Sequence, residues 1–291
     1  MNLTSKSLIK NLLCRQEIRP SKRLGQNFLV DKGTVRKIIE AAELQPDDTV
    51  LEIGPGLGVL TQELAKRVKK VIAVEKDQKL YIILKELLEC SNVRNVRIVR
   101  DDILKLKIEN LKIENYKVIG NLPFYLTAPV IRQFLEITEA RPLQMTLVVQ
   151  KEVGQRICSK PPDMNLLAVS VQFYSEPKII SYISKKSFWP SPEVDAAILK
   201  IVPHKAVPHQ YLRYDAGLRE QFFKIVRSGF SQPRKQLINN LSRGLNIDKK
   251  KIGEWLLKNN IQPTQRAETL SVKDWVKLTK CLVSNNIETR P

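Results

Sequence analysis

Short, largely apolar runs alternate with segments of helical periodicity over the first two thirds of the chain. Residues 49–53 form one such run, and residues 77–90 place leucine and isoleucine at spacings of three and four, which is typical of a helix packed on a core. Apolar runs that alternate with helices indicate a parallel sheet covered on both faces. The predicted strands are 49–53, 71–74, 96–99, 116–120, 145–150, 177–183 and 194–202, and an antiparallel arrangement is open for the last two.

The strand pattern stops at the proline-containing stretch 203–210. Beyond it the pattern predicts only helices, over 217–228, 234–243, 249–258 and 271–283. We therefore predict an α/β protein with a doubly wound sheet over residues 26–202. A small all-α domain follows over 203–291, and a basic segment, 1–25, precedes the sheet.

Charge is unevenly distributed along the chain. The formal net charge is +19; residues 203–291 carry seventeen basic and seven acidic side chains, and residues 1–25 carry six and one. A protein this basic is typical of those with a polyanionic partner, nucleic acid or an anionic membrane surface. We expect nucleic acid for the excess as a whole, whereas the single lysine run 249–251 is better explained as a solvated surface.

The remaining composition bears on compartment. No apolar run approaches the roughly 20 residues that a membrane span needs, and Lys6 and Lys10 interrupt the N-terminal apolar stretches, which argues against a secretory signal. The four cysteines lie far apart without a C-x-x-C pair. We therefore expect a cytoplasmic protein with no membrane association and no metal site, in which His204 and His209 play no part. Nothing in the sequence indicates an oligomer, so we expect a monomer.

A glycine-rich loop follows the first predicted strand of the sheet. Gly54, Gly56 and Gly58 give the spacing G-x-G-x-G, which lacks the third glycine position of a dinucleotide fingerprint. Glu75 ends the next strand, 21 residues after Gly54. This is about the spacing at which an acid binds the ribose hydroxyls in nucleotide-binding doubly wound folds. Asp102, or alternatively Asp101, follows the third strand and could accept from an adenine amine. The competing interpretation is an ordinary strand–helix turn with surface acids.

The stretch Asn121-Leu122-Pro123-Phe124 directly follows the fourth predicted strand. An exocyclic amine is a poor nucleophile until hydrogen-bond acceptors draw its lone pair out of the ring. The Asn121 side-chain oxygen and the Leu122 carbonyl are suitable acceptors, and Pro123 restrains the backbone that aims them. Phe124 offers a face on which an unstacked base could lie. The competing interpretation is a strand-end turn with Phe124 in the core.

These motifs, taken in order, resemble the ribosomal RNA adenine dimethyltransferase superfamily of S-adenosylmethionine-dependent enzymes, and most closely the bacterial 16S rRNA dimethyladenosine transferases. The similarity runs from about residue 22 to residue 282. It rests on residues 25–29 (GQNFL), 51–58 (LEIGPGLG), 74–75 (VE), 102–104 (DIL), 120–124 (GNLPF), 188–195 (FWPSPEVD) and 266–271 (RAETLS).

The resemblance implies a Rossmann-like class I methyltransferase fold that binds S-adenosylmethionine. The cofactor-binding residues would be Asn27, Leu29, Gly54, Gly56, Glu75, Asp102 and Asn121, with residues 121–124 holding the target adenine. It also implies that two methyl groups are added to N6 of each of two neighbouring adenosines near the 3′ end of 16S rRNA in the 30S subunit or its precursor. Many relatives have tyrosine where this chain has Phe124, a change that keeps stacking and removes a hydroxyl.

The RNA-binding candidates are basic residues in three places. They are Lys22 and Arg23 in the basic segment, Lys185 and Lys186 before the 188–192 loop, and a stripe of near-helical spacing formed by Arg227, Arg234, Lys235 and Arg243. Within the loop, packing of Trp189 and a role at the flipped base are equally open.

Two alternative functions remain from the sequence. One is a 23S rRNA adenine methyltransferase of the antibiotic-resistance type, against which stand residues 266–271 and the long N-terminal segment. The other is a non-catalytic nucleic-acid-binding assembly factor, which would be expected to have lost the cofactor motifs that are complete here. A nucleotide-dependent oxidoreductase does not fit the glycine spacing.

Overall fold

The computed structural model describes residues 2–20, 25–138, 140–204 and 216–284. The helices are α1 (Lys6–Arg15), α2 (Lys32–Ala41), α3 (Val59–Ala65), α4 (Gln78–Cys90), α5 (Thr127–Arg132), α6 (Lys151–Ile157), α7 (Leu166–Tyr174), α8 (Ala216–Gly229), α9 (Leu237–Leu245), α10 (Lys249–Lys258) and α11 (Val272–Ser284). The strands are β1 (Phe28–Leu29), β2 (Thr49–Ile53), β3 (Lys70–Glu75), β4 (Val96–Arg100), β5 (Tyr116–Asn121), β6 (Gln144–Gln150), β7 (Ser175–Ile183), β8 (Phe188–Trp189) and β9 (Ala196–Pro203).

The main sheet has the order β4-β3-β2-β5-β6-β9-β7. The pairs β2–β3, β3–β4, β2–β5 and β5–β6 are parallel, and β6–β9 is antiparallel. The predicted α/β class and its doubly wound sheet are therefore confirmed. The central strands β2, β3, β5 and β6 are almost completely buried, which explains why they appear in the sequence as apolar runs rather than as alternating ones.

The order of strands reverses next to β2. From β2 the chain proceeds to β3 and β4 on one side, and β5 then pairs with β2 on the other. The register aligns Ile53 with Val74 on β3 and with Gly120 on β5. The residues that come next, Gly54, Glu75 and Asn121, therefore lie side by side at the carboxyl edge of the sheet. Such switch points are where ligands bind in doubly wound folds.

A second, two-stranded sheet joins segments that are distant in sequence. β1 pairs antiparallel with β8, with Phe28 opposite Trp189 and Leu29 opposite Phe188. The 25–29 stretch is thereby fixed next to the 188–189 stretch. Asp31 caps the following helix α2, since its carboxylate accepts from the N–H groups of Gly33 and Thr34.

The chain forms two compact units whose boundaries differ from the predicted domains. Unit 1 comprises the described residues of Met1–Gly154 and Pro177–Pro203, and unit 2 those of Gln155–Glu176 and His204–Pro291. The segment 155–176 was predicted in the sheet domain because strands flank it. Its α7 instead packs with the C-terminal helices, where Phe173 stacks on Phe222 at 4.3 Å between ring centroids.

The N-terminal segment also differs from the prediction of a basic extension. Residues 6–15 form α1, which begins at the capping residue Ser5 and buries Ile9 and Leu13 within unit 1. Its basic side chains, Lys6, Lys10 and Arg15, are exposed. In the described part of the chain, none of the helices combines the length and the apolar character required to cross a bilayer.

Candidate active site

The glycine loop leaves open space at the carboxyl end of β2. Gly54, Gly56 and Gly58 all have positive φ values, of 66°, 58° and 84°. A Cβ built on Gly54 would meet no other atom within 4 Å, whereas one on Gly58 would lie 2.5 Å from a methyl group of Leu84. Gly58 is therefore required by its positive φ and by the closeness of Leu84 on α4. Gly54 instead faces a volume that a ligand could occupy.

Glu75 is held against the glycine loop by two backbone hydrogen bonds. The N–H of Gly56 donates to its Oε2 at 3.1 Å, and the N–H of Asp77 donates to its Oε1 at 2.8 Å. Burial raises the pKa of Glu75, and these two N–H groups oppose that rise. Each carboxylate oxygen keeps a further lone pair, so a ribose hydroxyl could still donate to it.

Glu52 is a second buried carboxyl group at this site, and it was not among the predicted site residues. It lies on β2, is 1% exposed, and neither of its oxygens has a hydrogen-bond partner among the described residues. Burial raises the pKa of Glu52 to about 8; the polar groups of Thr61 oppose that rise and the charge of Glu75 adds to it. The side chain therefore holds a proton at neutral pH. The E-x-G spacing before Gly54 was the available signal.

Two acids follow β4. Asp102 forms an ion pair with Lys76 at 2.9 Å, and its Oδ1 accepts from the N–H of Leu104. Burial is the largest single influence on Asp102 and acts to raise its pKa, but the hydrogen bonds from Lys76 and from the N–H of Leu104, together with the nearby lysine charges, outweigh it and the pKa is lowered. Asp101 is more exposed and accepts from the N–H of Asp102. Both acids line the same pocket, so the geometry leaves open which of them would contact an adenine amine.

The amide of Asn121 has a defined orientation. Its Nδ2 donates to the backbone carbonyl of Asn27 at 2.9 Å, so that the Oδ1 acceptor points away from Asn27. Asn27 is itself positioned by a hydrogen bond from its Nδ2 to the carbonyl of Gly25. Gly25 has a φ of 60°, and a Cβ there would lie 3.0 Å from Cβ of Pro123. The 25–29 stretch thus packs directly on the strand-end motif.

The other residues of that motif have different environments. The Leu122 side chain is buried and its N–H donates to the Val148 carbonyl. Pro123 precedes a short 3₁₀ turn, Phe124–Leu126. Phe124 is half-buried and is not part of the pocket lining, whereas Tyr125 lines the pocket and is 53% exposed. Tyr125 was missed, although it adjoins the predicted motif.

One pocket in unit 1 brings the predicted cofactor residues together. Its lining contains every one of them: Asn27, Leu29, Gly54, Gly56, Glu75, Asp102 and Asn121. It also contains Leu3 and Ile9 from the N-terminal segment, which were not among the predicted site residues. The apolar positions of this segment, Leu8, Ile9, Leu12 and Leu13, form a common helical pattern that does not by itself indicate a ligand site.

The structure describes two of the four predicted RNA-binding residues of unit 1. Lys185 and Lys186 are exposed in the 3₁₀ turn Lys185–Ser187, and Nζ of Lys185 donates to the Glu193 carbonyl. Lys22 and Arg23 lie outside the described residues. Trp189 belongs to an apolar cluster with α1, and Nζ of Lys10 lies 5.6 Å from its ring centroid, which favours the packing interpretation.

The basic residues of unit 2 lie on two helices and in the loop between them, and the helix predicted over 234–243 begins at Leu237. Arg227 lies in the last turn of α8, Arg243 in the last turn of α9, and Arg234 and Lys235 in the loop between these helices. All four side chains are exposed. The two helices approach closely beside Arg227 and Arg243, because a Cβ on Gly244 would lie 2.6 Å from Cβ of Ser228.

Comparisons with known proteins agree with this geometry. A family model described as ribosomal RNA adenine dimethylase matches residues 18–283. The chain belongs to this family. A ribosomal RNA small subunit methyltransferase A from Dehalococcoides mccartyi is 44% identical over 277 residues, which cover 94% of this chain and 91% of the relative.

Solved structures also share the fold. A dimethyladenosine transferase from Plasmodium falciparum aligns with a TM-score of 0.74 at 22% identity, over 90% of this chain and 99% of the other. The 23S rRNA methyltransferase ErmE aligns with a TM-score of 0.71 at 26% identity, over 88% of this chain and 100% of the other. A dimethyladenosine transferase and a 23S rRNA methyltransferase therefore share this architecture, and the fold alone does not choose the RNA substrate.

The pocket fits S-adenosylmethionine, the cofactor of this family. The open space before Gly54 admits a ligand close to the backbone, and Glu75 presents carboxylate oxygens next to it. Asp101 and Asp102 add acceptors at the neighbouring strand end. This surplus of acidic groups suits a cofactor that carries a positively charged sulfur and would repel a pyrophosphate.

Proposed function

We infer that this protein is an S-adenosylmethionine-dependent rRNA adenine dimethyltransferase that acts on 16S rRNA. The family assignment and the complete cofactor pocket support the reaction, and the observation that carries it is the position of Asn121. The register of β2 and β5 places this residue beside Gly54, and the Asn27 carbonyl fixes its amide. An acceptor oxygen is thus presented at the edge where the cofactor loop lies.

The cofactor supplies an electrophilic methyl group on a positively charged sulfur. Asn121 Oδ1 and the Leu122 carbonyl would accept from the two amino hydrogens of the target adenine and make its nitrogen nucleophilic. Phe124 and Tyr125 offer aromatic faces for the unstacked base. The proton that the amine loses can pass to solvent, so the chain needs no strong base. Positioning and preorganised dipoles then account for most of the rate.

We further propose that the substrate is the 30S subunit or its precursor in the cytoplasm, and that the products are dimethylated N6 atoms of two neighbouring adenosines near the 3′ end of 16S rRNA. Greater identity to small-subunit enzymes than to ErmE supports this choice, at 44% against 26%. The exposed basic residues of both units support an extended RNA substrate.

The test is to supply labelled S-adenosylmethionine with undermethylated 30S particles or with 23S rRNA and to map the modified adenosines by mass spectrometry. We expect two dimethyladenosines in 16S rRNA and none in 23S rRNA. Labelling of 23S rRNA alone would favour the alternative that the similarity to ErmE raises. Cofactor binding without transfer to either RNA would favour a non-catalytic factor.

A further inference from the structure

We propose that the N-terminal segment is part of the cofactor-binding site, with Leu3 and Ile9 forming part of the apolar wall of the pocket. The segment is defined here as residues 2–20, which contain α1. The sequence suggested only a basic extension for these residues. The proposal rests on the S-adenosylmethionine dependence inferred above, and it concerns binding of the cofactor rather than of RNA.

The direct observation is that both side chains line the pocket while being sheltered from solvent. Leu3 is 4% exposed and Ile9 is 1% exposed. Both belong to the apolar cluster that also contains Leu57 of the glycine loop and Leu80 of α4. These two neighbours line the pocket as well. The N-terminal segment therefore supplies part of the apolar lining of the cavity that also contains the carboxylates and Asn121.

Several contacts hold this wall in place. Leu13, one turn after Ile9, is 2% exposed in the same cluster but does not line the pocket. Nζ of Lys79 lies 3.4 Å from the carbonyl oxygens of Gln16 and Glu17, just past the end of α1. The cation–π contact of Lys10 with Trp189 joins the other side of the helix to β8. The segment is thus held against α4 and β8.

This contribution goes beyond the cofactor residues that the family resemblance implies. The matching family model begins at residue 18, so Leu3, Ile9 and the whole of α1 precede it. The residues that the family resemblance implies for the cofactor all come later in the chain. An aliphatic wall beside Leu57 would shield the apolar surface of the bound cofactor from water. Removing part of that wall should therefore weaken binding of the cofactor and of its demethylated product alike.

The experiment compares Ile9→Ala with Leu13→Ala in the full-length protein. Both substitutions remove a buried aliphatic side chain from the same face of α1, so both should loosen the docking of the helix to a similar degree. Binding of S-adenosylmethionine and of S-adenosylhomocysteine is measured by calorimetry, and thermal unfolding is recorded in parallel. We expect Ile9→Ala to weaken both ligands by roughly tenfold, and Leu13→Ala to leave both affinities within about twofold of the wild type.

Two further measurements keep the test decisive if Ile9→Ala folds poorly. Ile9→Val removes only one methylene and should still weaken both ligands by about threefold. In the wild type, saturating S-adenosylhomocysteine should slow hydrogen exchange at the amides of α1. Equal affinities for Ile9→Ala, Ile9→Val and wild type would overturn the proposal, as would equal weakening by Leu13→Ala. A wild-type protein that binds neither ligand would instead refute the proposed function.

Discussion

At the residue scale, Asn121 is the side chain on which the proposed chemistry depends most directly. Its Nδ2 is engaged by the Asn27 carbonyl, and only its Oδ1 remains to accept from an adenine amine. Asn121→Ala removes that acceptor, and we expect the single-turnover rate of methyl transfer on 30S particles to fall by about 10²-fold or more. Binding of 30S particles should persist, because the residue makes no phosphate contact in this scheme.

The matched variant is Asn121→Asp, which keeps an acceptor but sets a carboxylate oxygen against the Asn27 carbonyl. It should transfer faster than Asn121→Ala and bind the cofactor less well than the wild type. A wild-type single-turnover rate for Asn121→Ala would refute the acceptor role. Calorimetry with S-adenosylhomocysteine separates a loss of chemistry from a loss of cofactor.

Glu52 makes the stability of the protein depend on pH. Burial raises its folded-state pKa to about 8, against an ordinary value of 4.5. Between these two values the folded chain holds a proton that the unfolded chain has lost, so the contribution of this group is greatest below pH 4.5 and declines as pH rises to 8. Urea unfolding at a series of pH values should show Glu52→Gln gaining on the wild type by up to about 4 kcal/mol between pH 5 and pH 8.5. Parallel pH profiles for the two proteins would show that Glu52 titrates normally.

Much of the candidate site could be predicted at this scale, for a simple reason. Residues at the ends of buried apolar runs must emerge at the carboxyl edge of a parallel sheet, and Gly54, Glu75 and Asn121 do so. The state of Glu52 could not be predicted, because it depends on how completely β2 is covered. The involvement of Tyr125 depends on the 3₁₀ turn after Pro123, which the sequence does not specify.

At the scale of elements, two helical glycines should respond oppositely to the same substitution. Gly253 in α10 would place a new Cβ 3.6 Å from a methyl group of Ile238, an ordinary contact, whereas Gly244 in α9 would place it 2.6 Å from Cβ and 3.1 Å from Cα of Ser228. Gly253→Ala should raise the free energy of unfolding by about 0.5–1 kcal/mol, since alanine favours the helix. Gly244→Ala should lower it by about 1–3 kcal/mol, because the backbones of α8 and α9 must separate.

Urea denaturation measures both changes, and each variant is the control for the other. Stabilisation by both substitutions would mean that α8 and α9 do not approach as closely as the structure shows. Far-ultraviolet circular dichroism of the folded variants excludes a general loss of helix as the cause.

The elements themselves were predicted unequally well. Strands β2, β3, β5 and β6 are confirmed because burial on both faces leaves an unambiguous apolar run. Helix α1 was missed, since two lysines interrupt its apolar positions and only tertiary burial of Ile9 and Leu13 reveals the face. The helix predicted over 234–243 begins three residues later, at Leu237, so Arg234 and Lys235 lie in the loop before α9 rather than in its first turn. Helix ends depend on local capping and packing, which spacing in the sequence does not specify.

At the scale of the whole molecule, acidic and basic side chains are concentrated in different parts of the chain. The pocket in unit 1 collects carboxyl groups, whereas residues 203–291 carry seventeen basic and seven acidic side chains. Under the proposed function, a cofactor with a cationic sulfur and a polyanionic RNA would thus meet parts of the chain with opposite charge. Segment 155–176 belongs to unit 2 although strands precede and follow it, so the two units are not consecutive in sequence.

This separation makes the salt dependence of RNA binding a test of where phosphates are bound. Each lysine or arginine that neutralises a phosphate contributes about 0.7–0.9 to the slope of the logarithm of the binding constant against the logarithm of salt concentration. Arg227 and Arg243 flank the close approach of α8 and α9 and are exposed. The double variant Arg227→Ala/Arg243→Ala should therefore lower the slope for 30S particles by about 1.5.

The double variant Lys249→Ala/Lys250→Ala removes the same charge from α10 and should change the slope by less than half as much. Equal slopes for the two variants would indicate that only net charge matters, and unchanged affinity for S-adenosylhomocysteine in both would confine the effect to RNA.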